Sequence, residues 1–433
     1  MNKLSPGQNN GSLTSALPIA LDRRSIRAVQ QSNNLVMKNG FLFLLSLLSP
    51  LFLNADWLQF RGSLGNGGTS INSITQFSKE NKNSWKSELP GRGLSSPILV
   101  DGKIFLTASS GPKQETLHIL CFSQNEGNLI WERKFKATGR TICHEKTCVA
   151  APTMVSDREV VVAQFSSNDI FCVDLDGDLL WLRGLTYDFP NAANGLGMSS
   201  SPLISKGVLI AQVENDADSF TTGIDLKNGE ELWRNIRPKG ANWTSPVLLG
   251  TGKNQKVALQ STKGISLINP TNGKESWSYQ NGASSIPSST PVGDVLLVPS
   301  NGLTALKTRT GGNSHTEVWQ DNKLGPGTGS PAISGNRFLV INKANVLTYA
   351  KIDSGEILWR MRIKGPVSGS PVATRSHLYF FNEDGLGQII KLEEDEGKVI
   401  ATLDLQETIL STPALAADGL YIRSDKHLWK ISQ

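Results

Sequence analysis

Cysteine, histidine, methionine and tyrosine are scarce in this chain, with four, five, five and five copies among 433 residues. The histidines, His118, His144, His315, His377 and His427, are scattered, and no second Cys/His group completes a zinc shell, so no metal site is expected. Low-complexity tracts are missing and the apolar share is an ordinary 38%, which excludes a wholly disordered or collagenous chain. Long apolar runs are absent but for Phe41 to Leu53, interrupted by Ser46, Ser49 and Pro50. That run falls short of the about 20 residues a spanning helix takes, so a polytopic membrane protein is excluded too. Neither a phosphate loop nor a Ser/His/Asp order is present, and no catalytic residue is assigned.

The one apolar run follows Lys38 and precedes Asn54-Ala55, the layout of a secretory signal peptide over residues 37–55 with cleavage after Ala55. Met37 then is the natural initiator, and residues 1–36, polar and patternless, are expected to be a non-native extension. The mature body is expected in the periplasm or outside the cell. Lys3, Arg23, Arg24, Arg27 and Lys38 against Asp22 all lie before residue 56, so net charge falls from +5 to +1 on cleavage. A body so near neutrality has no electrostatic case for nucleic acid. No cysteine follows the leader directly, which argues against a lipid anchor.

Export makes Cys143 and Cys148 a candidate disulfide around His144, Glu145, Lys146 and Thr147. A metal site there is disfavoured, because every ligand would come from six consecutive residues. Cys121 and Cys172 fall at like positions in successive repeats and read as small buried fillers.

What the chain has in abundance is a repeat. A small residue before proline recurs eight times: Ser96-Pro97, Ala151-Pro152, Ser201-Pro202, Ser245-Pro246, Thr290-Pro291, Ser330-Pro331, Ser370-Pro371 and Thr412-Pro413. The prolines lie 40 to 55 residues apart, the period of propeller blades. A tryptophan precedes all but the last: Trp85, Trp131, Trp181, Trp233, Trp277, Trp319 and Trp359, with Ala401 in the eighth slot. Gly177, Gly229, Gly273 and Gly355 each stand four residues before their tryptophan, where a tight hairpin needs positive φ.

Each unit reads as four strands, so the expected fold is all-β: an eight-bladed β-propeller of four-stranded antiparallel blades spanning residues 56–433. The last unit ends at Gln433 without its outer strand, whereas Ser84 to Leu89 is an outer-type strand with no unit of its own. The N-terminal strand is therefore expected to close the ring.

This pattern resembles the PQQ-like β-propeller repeat family, shared by quinoprotein alcohol dehydrogenases and the outer-membrane assembly factor BamB. Asp56-Trp57-Leu58-Gln59-Phe60-Arg61-Gly62, with Gly65-Asn66-Gly67, is similar to the opening of secreted members from planctomycete-type bacteria. Gly91-Arg92-Gly93, Asn194-Gly195 and Arg423 to Leu428 match as well. A dehydrogenase of this superfamily implies a quinone held between a Trp face and an adjacent-cysteine disulfide, with Ca²⁺ on carboxylates and a catalytic Asp. No two cysteines are adjacent here, and Asp174, Asp225 and Asp353 sit in repeat turns, where carboxylates cap local amides. No cofactor is expected, with PQQ plus calcium as the alternative.

Function is expected in the loops. The Trp-to-Pro gap is 12 to 14 residues in most units but 21 from Trp131 to Pro152 and from Trp181 to Pro202. These two loops should rise beside Arg92 on one face, and Arg92, His144, Asn194 and Trp243 are the expected partner-binding set. The expected role is that of a monomeric envelope scaffold for a protein or polymer; a PQQ-dependent oxidoreductase is the alternative. Glu214-Asn215-Asp216-Ala217-Asp218 is too short for an EF-hand and reads as a solvated hairpin tip.

Overall fold

A computed structural model describes residues 56–193, 195–309 and 312–433. The expected extension and leader, and Asn194, lie outside the described residues. Among these, thirty-two strands form eight sheets of four. Blades 1 to 7 are consecutive meanders starting at Ile98, Val155, Leu203, Val247, Thr290, Ala332 and Val372. Their second and third strands are nearly continuous apolar runs because both faces are covered by neighbouring blades, as in Lys103–Ser110 and Thr116–Ser123. Outer strands alternate instead, as in Leu129–Lys136, with one face in water. Among the described residues no helix is long and apolar enough to cross a membrane.

Blade 8 is a composite. The C-terminal strands Ala414–Ala416, Gly419–Arg423 and His427–Ile431 are joined by Trp85–Glu88, with Trp85 opposite Lys430 and Glu88 opposite His427. The N-terminal strand thus supplies the missing outer strand, as the sequence leads one to expect. Pairing it removes an open sheet edge at the point where the ring would otherwise stay unsealed.

The blade-to-blade joints explain the repeat residues. In each outer strand of blades 1 to 7 the register shifts just before the tryptophan or, in blade 7, before Ala401. Such a bulge twists the strand and re-aims one side chain. The tryptophan then lies on the glycine turn of the following blade: Trp131 on Gly177, Trp181 on Gly229, Trp233 on Gly273, Trp319 on Gly355 and Trp359 on Gly397. Its indole N–H donates to a carbonyl in the same turn, as from Trp181 to Leu226 O at 2.8 Å and from Trp319 to Ile352 O at 2.8 Å. Gly397 lacks positive φ, so in that turn the glycine serves the ring contact alone.

Residues 56–69 cross the ring rather than joining a blade. Trp57 exchanges backbone bonds with Leu99 in blade 1, and Leu58 O accepts from Ser156 in blade 2. Asn66 O accepts from Ile333 in blade 6 and Gly67 O from Ala373 in blade 7. This strap runs across one end of the central channel.

Candidate functional site

On the opposite side of the strap the channel opens into a funnel of about 520 Å³. Phe60 of the strap lines it from below, and its wall is the small residue of each repeat. These small residues are linked: the Ser96 N–H donates to Thr153 Oγ1, Thr153 to Ser201, Ser201 to Ser245, Ser245 to Ser288, Ser288 to Ser330, Ser330 to Ser370, and Ser370 to Thr412, all at 2.9–3.0 Å. One backbone N–H per blade is thereby satisfied by the next blade's hydroxyl, which is why a Ser or Thr recurs beside the proline. In blade 2 the hydroxyl follows the proline, at Thr153, and in blade 5 it precedes it by three, at Ser288.

The rim comes from loops of several blades. Lys146, in the first extended loop, pairs with Glu383 of blade 7 at 3.0 Å, and Ser368 Oγ donates to the same carboxylate at 2.6 Å. Partial burial pushes the Glu383 carboxyl up, but the bonds from Ser368 and Lys146 outweigh it and hold it below its usual range. His144 is exposed on the rim, its Nδ1 accepting from the Lys146 N–H at 3.1 Å. Trp243 is half-buried and donates to Gly197 O at 2.9 Å, tying the second extended loop to blade 4. Leu196 and Ile286, 46% and 47% exposed, flank it on the rim.

Of the four expected site residues, the structure brings His144 and Trp243 together on the funnel. Arg92 stands beside it rather than in it: its guanidinium bonds Glu145 O at 2.6 Å and pairs with Asp425 at 3.3 Å, so it pins the first extended loop to blade 8. Asn194 lies outside the described residues. Phe60, Lys146, Glu383 and Ile286 were not legible as site residues, because each is one polar or apolar residue in a separate loop. Only Ser/Thr beside each proline carried a signal for the wall.

Four sequence expectations resolve differently or in detail. Cys143 and Cys148 are free thiols, so the candidate disulfide is not formed; Gln114 Nε2 donates to Cys143 Sγ at 3.5 Å, and burial pushes the Cys148 thiol up to about 12. The Glu214–Asp218 segment is not a solvated tip at its start. Glu214 is buried with Arg237 at 2.7 Å and Asn242 at 2.8 Å, while Asn215 holds Asp218 O, and only Asp216 is exposed. Cys121 and Cys172 are buried fillers on the third strands of blades 1 and 2. Asp174 and Asp225 cap turn amides, Asp174 taking the N–H groups of Asp176 and Asp178.

Among the described residues no three His, Cys, Asp or Glu side chains converge as a metal site, and Glu383 is the one carboxylate on the funnel. Comparison with known proteins places the architecture. The family described as outer membrane protein assembly factor BamB matches residues 71–195, 195–313 and 301–400. BamB from Moraxella catarrhalis is similar at 14% identity, covering 80% of this chain and 98% of its own, with a TM-score of 0.57. A europium-containing methanol dehydrogenase, 12% identical, covers 87% and 89% with a TM-score of 0.64. Quinohemoprotein alcohol dehydrogenase from Comamonas testosteroni, also 12% identical, covers 87% and 80% at 0.66. No curated protein matches the chain. At these identities the solved structures speak to fold alone.

Proposed function

Because the chain belongs to the family described as outer membrane protein assembly factor BamB, we propose that it is an exported propeller that binds a protein partner at the cell envelope through its funnel face. The observation that carries this reading is the apolar rim. Leu196 and Ile286 on the funnel are 46% and 47% exposed, Ile142 and Tyr187 elsewhere on the two extended loops are 62% and 90% exposed, and the loops bearing three of the four are held by Arg92, Lys146 and Trp243. Apolar and aromatic side chains kept in water on pre-organised loops are what a docking surface requires.

A quinone role fits this chain poorly. The funnel offers hydroxyls, Phe60 below, and a single carboxylate already engaged by Lys146 and Ser368, which is not the donor set of a calcium-held quinone. The scaffold reading is tested by pull-down from envelope extract with the wild type and with Trp243→Ala/Ile286→Asp of equal melting midpoint. A partner lost from the variant supports it; equal recovery of every protein by both would sink it. Calorimetric titration with PQQ and Ca²⁺ is the companion experiment, and micromolar binding would reverse the ranking.

A further inference from the structure

We propose that Ser110, His118 and Glu132 of blade 1 form an acyl-transfer site that hydrolyses small neutral esters. This site lies off the funnel and does not depend on what docks there.

The first observation is that a nucleophile, a base and a carboxylate stand in one hydrogen-bonded line. Ser110 Oγ lies 2.7 Å from His118 Nε2, and His118 Nδ1 lies 2.7 Å from Glu132 Oε1. An ionised carboxylate only accepts, so Nδ1 carries the proton, and Nε2 of the neutral ring accepts from the serine hydroxyl, the direction a general base requires. Lys134 bonds the other carboxylate oxygen at 3.0 Å. Partial burial raises the Glu132 carboxyl, but the bonds from His118 and Lys134 outweigh it and hold it below its usual range, so it stays ionised at neutral pH.

The sheet fixes this line. Ala108 lies opposite His118 and Leu120 opposite Glu132, so the three residues step diagonally across three adjacent strands on one face of the blade. His118 is only 3% exposed, which holds the base in place, whereas Ser110 and Glu132 remain partly open to solvent.

The second observation is the turn after the serine. Ser110 ends the strand Lys103–Ser110, and Gly111 follows with φ +91°, its N–H without an acceptor among the described residues. A backbone N–H one residue beyond the nucleophile is a donor that can meet a developing oxyanion. The Glu115 carboxylate flanks the same turn, since a Cβ on Gly111 would meet it at 2.7–2.8 Å. Its charge disfavours an anionic substrate, and a neutral ester is the class that fits.

In the reaction Ser110 Oγ attacks the ester carbonyl carbon and gives its proton to His118 Nε2. The tetrahedral intermediate collapses by breaking the acyl–oxygen bond, and the alcohol leaves with that proton. Water, deprotonated by His118, then cleaves the acyl-serine and releases the acid.

The test treats the full-length protein with diisopropyl fluorophosphate, which phosphorylates an activated serine with loss of fluoride, and maps the label by mass spectrometry. Label on Ser110 is expected. Hydrolysis of p-nitrophenyl acetate should fall about tenfold or more in Ser110→Ala, which keeps the His118–Glu132 pair, and Glu132→Gln should lower kcat with KM unchanged. An unlabelled Ser110 in folded wild type, or a Ser110→Ala protein that hydrolyses the ester as fast as wild type, would overturn the proposal. Faster turnover of the negatively charged succinyl monoester than of the acetyl ester would overturn the substrate class.

Discussion

The indole of Trp85 lies against Gly127 so closely that a Cβ on the glycine would sit 2.5 Å from the ring. The same indole N–H donates to Gln124 O at 3.3 Å, and Ser87 Oγ to Gly127 O at 2.6 Å. The N-terminal strand therefore does two things: it completes blade 8 and it supplies that blade's joint to blade 1.

Gly127→Ala should cost more than Gly102→Ala. Both glycines have φ near +70°, but a Cβ at Gly102 meets open space. Backbone strain alone accounts for about 1–2 kcal/mol, and the forced shift of Trp85 adds about 1–3 kcal/mol. Urea midpoints at constant m-value measure the difference; equal midpoints would remove the Trp85 contact from the account.

Trp85→Ala is expected to lower the melting midpoint as much as Trp233→Ala, although Trp85 lies outside the seven complete blades. A large-to-small change at such a joint costs about 3–5 kcal/mol, a large share of the roughly 5–15 kcal/mol of a typical fold. Calorimetric unfolding of both variants tests this, and a Trp85→Ala protein melting like wild type would refute closure by this strand.

The seam should be acid-sensitive. Glu407 takes bonds from Ser424 Oγ, from His427 Nδ1 at 2.7 Å and from Lys86 of the N-terminal strand at 3.1 Å. Partial burial raises its carboxyl, but these bonds and the His427 charge outweigh it and hold it below the usual range. A carboxylate lowered in the folded state contributes stability above its unfolded value, near pH 4.3, that is lost as pH falls through the folded one. Glu407→Gln should thus narrow its gap to wild type between pH 7 and pH 3 in melting curves. A constant gap would show that the carboxylate is not linked to folding.

Thiol titration should find slow reaction at one position in the native protein. Cys143 is half-buried and raised by burial, whereas Cys121, Cys148 and Cys172 are buried and held near 12. Four thiols are expected to react in denaturant. A count of two there would mean that a pair had joined.

The sequence alone determined the architecture, because the devices that make a propeller are local. A small residue before proline, a tight glycine turn and a tryptophan four residues later each recur once in the stretch of sequence that makes one blade, and their spacing survives in the linear order. Even closure was legible, since Trp85 is a surplus strand at one end and Trp429 sits in a blade short of one at the other. Why those residues recur was not legible: Gly177 bears the ring of Trp131, and Ser330 serves the amide of Ser288, in each case across a blade boundary. The funnel was decided by tertiary structure for the same reason. Phe60, Lys146, Trp243, Ile286 and Glu383 come from the strap and from loops of different blades, and only closing the ring brings them around one axis. Arg61 and Arg423 stand in sequence only as members of family-like motifs; folding buries both completely, and burial is something no local pattern encodes.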